Sequence, residues 1–134
     1  MWLAEQAAGG GGMRVRAGVG TVTVGGERPA VLLDGERREL GILAPRGVGW
    51  RPAEGTQVLV LETDDGERFV LGEVDGGGVF RSLGAGELCL RCGESWLRLD
   101  RNGISAEGEL HLDGDVTITG RLIVNGVVVG AEGA

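Results

Sequence analysis

The stretch ISAEGELHLDGDVTITGRLIVNGVVVG, Ile104–Gly130, decides the fold. Its even positions read Ile104, Ala106, Gly108, Leu110, Leu112, Gly114, Val116, Ile118, Gly120, Leu122, Val124, Gly126, Val128 and Gly130, with no polar residue among them. The odd positions from Glu107 to Arg121 are all polar or charged. Period-two alternation means extended chain with one dry and one wet face. From Gly108 the stretch also repeats every six residues: GELHLD, GDVTIT, GRLIVN, then GVVVG. A single straight strand of this length would span about 90 Å, far beyond ordinary strands. A chain of 134 residues has no second layer that long to cover it.

The dry face is therefore buried by coiling of the chain on itself or by copies of the same chain. Three identical chains meet the requirement by turning Ile104, Leu110, Leu112, Val116, Ile118, Leu122, Val124 and Val128 to a common axis, which removes sheet edges. Glycine at every sixth residue permits tight turns or close approach. Beyond Leu122 the outer parity is apolar too, with Ile123, Val127 and Val129. A tip apolar on both faces calls for cover by a membrane, a capping protein or its own packing.

Working outward, Trp96–Ile104 ends in the turn Asp100-Arg101-Asn102-Gly103, and the shaft is expected over 96–134. Residues 76–95 form a transition that opens on Gly76-Gly77-Gly78. Within it Cys89 and Cys92 make one C-x-x-C, half of a tetrahedral zinc site. In an extended segment the two thiols point to opposite faces, so packing is the expected role. Residues 13–75 read as five short strands, 14–24, 29–35, 39–44, 56–63 and 67–74. Gly18 and Gly20 suggest a strongly bent first strand, and Asp64-Asp65-Gly66 a hairpin turn. Five strands in so short a span fit an OB-like barrel. Residues 1–12 read as an arm, with apolar Trp2 ahead of Gly9–Gly12. Trp2 and Trp50 are the candidate docking aromatics. No helix is expected, and the chain reads as all-β.

Composition narrows the function. Glycine is abundant at 28 residues, while aromatics are three Trp and two Phe, so the core is narrow and aliphatic. The formal net charge of −7 opposes binding to phosphate backbones. An OB-fold nucleic-acid site wants stacked aromatics in a basic groove, and only Trp50 and Phe69 lie in the barrel. One histidine, no lysine and no tyrosine leave little for catalysis, and no nucleophile elbow is present. Glu107, Glu109, Asp113 and Asp115 line a wet strand face with nothing to raise a carboxyl pKa. His111 lacks a second ligand at close spacing. No enzyme activity, metal or cofactor is expected. No apolar run of transmembrane length occurs, and the N-terminus lacks the features of a secretory signal, so synthesis and retention in the cytoplasm are expected.

The arrangement resembles the phage baseplate assembly protein V family, which includes Mu-like central spikes and is related to type VI secretion tip proteins. The residues that carry it are Pro45-Arg46-Gly47, Trp50, Arg51-Pro52, Gly55, Val58–Leu61 and Val70-Leu71-Gly72 in the barrel. In the shaft they are WLRLDRNGISAEGELHLDGDVTITGRLIV, residues 96–124, which is similar to a triple-stranded β-helix. The resemblance implies an OB-like barrel followed by an intertwined trimeric β-helix. It implies a structural homotrimeric spike of a contractile tail or injection machine, synthesised in a bacterial cytoplasm and carried in the virion baseplate. Its partners would be a baseplate hub protein, the target cell envelope and, at the tip, a capping protein. Many such spikes end in a His-x-His pair that binds iron. Here the only histidine is His111 and the chain ends VNGVVVGAEGA, so no tip metal is expected. The alternative readings are a trimeric fibre or adhesin segment that binds a surface ligand, and an OB-fold nucleic-acid-binding module.

Overall fold

Alternation produces the strands of the first half of the chain. In the computed structural model, which describes residues 14–75 and 80–130, the chain divides into two units at Gly84/Ala85. The first holds β1 (Val15–Val24), β2 (Ala30–Leu32), β3 (Glu36–Arg37), β4 (Gly41–Ile42), β5 (Gln57–Thr63) and β6 (Arg68–Glu73). They form one sheet in the order β3-β2-β1-β5-β6-β4, antiparallel except for the parallel β4–β6 pair. The second unit holds β7 (Leu88–Cys92), β8 (Ser95–Asp100), β9 (Gly103–Glu107), β10 (Leu122–Val124) and β11 (Val127–Val129). No α-helix occurs among the described residues, as expected.

The six-stranded sheet is a curled half-barrel, and chain length explains the curl. Laid flat, its edge strands β3 and β4 would stand five interstrand steps apart, roughly 24 Å. Yet only Arg38, Glu39 and Leu40 link them, a reach of about 15 Å from Arg37 to Gly41. The sheet must bend to bring its edges together. Glu39 takes a positive φ of 55° at this link, and the Leu40 amide donates to the Pro29 carbonyl at 3.1 Å. Leu40 is thereby driven into the core beside Val22, Val31, Val58, Val60 and Val70, all of them fully buried.

The first strand runs straight through Gly18 and Gly20 in sequence. β1 runs unbroken for ten residues, pairing with β5 from Val15 to Thr21 and with β2 from Thr21 onward. The change of partner at Thr21, with a register irregularity between Val22 and Val24, supplies the bend. Gly20 serves close approach instead: a Cβ there would stand 2.6 Å from both the Leu32 carbonyl oxygen and Val31 Cγ1.

Candidate functional site

The second unit is built the other way round, with its apolar residues outside. From Glu109 to Thr119 no residue belongs to a strand, and among the described residues no backbone group of this arm has a hydrogen-bond partner. Ile104, Leu110, Leu112, Val116 and Ile118 are between 50 and 73 % exposed. Burying them would contribute about 2 kcal/mol each, on the order of 10 kcal/mol per chain. The structure thus presents a chain segment with both backbone edges open and an apolar face unpaid for.

The glycines give the arm a regular path. Gly108, Gly114 and Gly120 have φ of 125°, 133° and 121°, values that side chains rarely adopt, so each repeat turns the backbone in the same sense.

A second apolar surface adjoins the arm. β7, β8 and β9 form an antiparallel three-stranded sheet in which Leu88 faces Leu99, Leu90 faces Leu97, Leu97 faces Ala106 and Leu99 faces Ile104. Directly paired residues share a face, so Leu88, Leu90, Leu97, Leu99, Ile104 and Ala106 form one continuous apolar patch. Leu88 and Leu90 are more than half exposed. The opposite face carries Trp96 and Cys89 among charged residues, with Arg98 bridging Glu87 at 2.9 Å and Asp100 at 3.3 Å. The alternation of Leu88–Leu90 and Leu97–Leu99 is visible in the sequence; their addition to the Ile104 stripe depends on strand pairing, which is not.

The distal end departs from the parity count. Val124 pairs with Val127, Ile123 with Val128 and Leu122 with Val129 across a two-residue turn, Asn125-Gly126. Both turn residues have positive φ, 50° and 80°, the type I′ geometry that Asn-Gly favours. The chain therefore reverses, and Leu122, Val124, Val127 and Val129 share one face while Ile123 and Val128 share the other. Counting even positions straight through to Gly130 groups Val128 with Leu122 and Val124; the turn moves it to the opposite face. The local signal was Asn125-Gly126 itself, a strong hairpin dipeptide.

The remaining predicted positions carry little chemistry. His111 Nε2 lies 3.0 Å from Glu109 Oε1, both side chains exposed, and no group of three or more His, Cys, Asp or Glu that could hold a metal occurs among the described residues. Cys89 and Cys92 are free thiols facing Arg98 and Ser95 across the β7–β8 pair. Trp50 is half-buried against the core of the first unit, so most of its indole seals that core. Trp2 and the 1–12 arm lie outside the described residues.

In the first unit an open groove of about 420 Å³ runs past Gly18, Gly20, Leu33, Arg16, Arg37 and Glu62. Glu62 accepts from Arg16 at 2.6 Å and Arg37 at 2.7 Å, and Arg68 stands 3.5 Å away. Those hydrogen bonds, from Arg16 first and Arg37 next, hold the Glu62 carboxyl below its ordinary pKa, and Glu62 in turn raises that of Arg37. The groove's charges are spent on one another. No helix in the described residues is long and apolar enough to cross a membrane. No protein-family model matches the chain, and no curated protein is detectably similar to it in sequence.

Proposed function

We propose that this protein is the homotrimeric central spike of a contractile tail or injection machine, with a structural and not a catalytic role. One observation carries the assembly: Glu109–Thr119 leaves both backbone edges open beneath an exposed apolar face. A partner for it must supply hydrogen-bonding backbone over eleven residues, aliphatic side chains on one parity, and glycine bends every sixth residue. The same arm of another copy meets all three demands. Two arms still leave outer edges, whereas three close around an axis and leave none. The Leu88–Ile104 patch continues the same dry surface, which supports an interface longer than the arm alone.

The assignment to a spike adds the likeness of residues 45–72 and 96–124 to baseplate spikes. On this reading the half-barrel unit binds the baseplate hub and the arm meets the cell envelope. The protein is then made in the bacterial cytoplasm and resides in the virion tail baseplate or an injection particle. The test is the mass of the purified chain by light scattering, with and without SDS at room temperature. Three copies that persist in SDS are expected. A monomer at micromolar concentration overturns the assembly and the spike together. A trimer that fails to co-purify with a co-expressed baseplate hub protein overturns the spike and favours a fibre.

A further inference from the structure

We infer that the β10–β11 hairpin closes the end of the assembly by packing against the same hairpin of the other copies, with Leu122, Val124, Val127 and Val129 inward. This rests on the trimer reading above. Three facts point to a second copy as the occupant of that face. Leu122 and Val124 continue the alternation that runs from Ile104 through Ile118, so whatever covers the stripe meets this face next. This face carries two aliphatic cross-strand pairs, Leu122–Val129 and Val124–Val127, against the single pair Ile123–Val128 on the other. Each hairpin also keeps one open edge on β10 and one on β11, since it forms a sheet of two strands only. Hairpins from three chains can pair edge to edge into a six-stranded ring, which leaves no edge exposed. Ile123 and Val128 then stand outside it.

The single chain provides an internal control. Val127 is 65 % exposed and Val128 only 38 %, so in an isolated chain a charge at Val128 is the more damaging. Packing among copies reverses that order. The experiment compares Val127→Asp with Val128→Asp in the full chain, reading copy number by light scattering and the temperature at which the SDS-resistant species dissociates. V127D is expected to lower that temperature by roughly 10 °C or more, and V128D by less than half as much. Val127→Thr and Val128→Thr, which keep shape and strand preference, must show the same order and cover the case in which V127D fails to fold. An equal fall from both positions, or a larger one from Val128, overturns the hairpin closure while leaving a wild-type trimer intact. A wild-type monomer overturns the trimer reading and the closure with it.

Discussion

The two units solve the same problem, burying aliphatic side chains of extended strands, by opposite means. In the half-barrel, Val22, Val31, Val58, Val60 and Val70 are covered by the sheet's own curl and by Leu40. In the second unit Ile104, Leu110, Leu112, Val116 and Ile118 stay half or more exposed among the described residues. The difference comes from glycine and turn placement. Three residues between β3 and β4 force the first sheet to curl over its own core, whereas glycines at Gly108, Gly114 and Gly120 bend the arm without bringing it back. A sheet that returns makes a core within one chain; one that only advances leaves its apolar face exposed.

The sharpest way to break that comparison is Ile118→Asp. Three carboxylates near one axis in a dry interface should abolish assembly, since an uncompensated buried charge costs several kcal/mol per ion. Light scattering should then give a monomer, while amide exchange across Val58–Leu61 stays as slow as in the parent. An I118D chain that remains an SDS-resistant trimer would place this residue outside the interface. Slower assembly with faster exchange in β5 would show that the units are not independent.

Val60→Ala is the counterpart in the other unit. A fully buried valine truncated in a small core should cost about 2–3 kcal/mol. The loss should appear as faster exchange in β1, β5 and β6 and should not change with protein concentration. The copy number should stay that of the parent. If V60A instead dissociates the assembly, the half-barrel contributes to the interface and the contrast between the units narrows.

What was legible in the sequence follows the same divide. The alternation of the arm and its glycine period are local properties, readable from the sequence itself. Membership of Leu88, Leu90, Leu97 and Leu99 in the same dry face needed the β7–β8–β9 register, which alternation within each segment does not specify. The reversal at Asn125-Gly126 rests on a two-residue signal, while the alternation on either side of it continues unbroken in the sequence. In the half-barrel, strands at 14–24, 56–63 and 67–74 followed from pattern. Leu40 as a core residue did not, because it sits in a three-residue link whose burial depends on the curl of the whole sheet. The Glu62 cluster was equally hidden, since Arg16 and Glu62 lie 46 residues apart and meet only through the β1–β5 register.

Gly114→Ala sharpens the claim about the arm's path. At φ 133° a Cβ is strained even with nothing near it, whereas Gly49 has open space and no such φ. G114A should cost about 1 kcal/mol per chain and, on the proposed trimer, lower the temperature at which the copies dissociate. Gly49→Ala should leave both units within about 0.5 kcal/mol of the parent. Equal effects from the two would mean that the repeated bend is not what sets the arm's course.

The smallest effect expected belongs to Glu62, and it separates the units by pH. Its carboxyl is held below the usual range by the Arg16 and Arg37 hydrogen bonds, so the folded state prefers it ionised. A depressed folded pKa contributes stability that is present above the unfolded-state value near 4.3 and is lost as pH falls through the folded one. Arg16 is largely exposed, so solvent screens the pair and the contribution should be about 1 kcal/mol or less. Amide protection in β1 and β5, taken relative to the intrinsic exchange rate at each pH, should fall below about pH 4 in the parent. Glu62→Gln should exchange faster at pH 7 and lose part of that acid dependence. The arm, whose five buried-to-be side chains from Ile104 to Ile118 carry no charge, should show no matching step from this residue. If E62Q shifts the dissociation of the assembly as much as it shifts exchange in β5, the charge network of the half-barrel is coupled to the interface between copies.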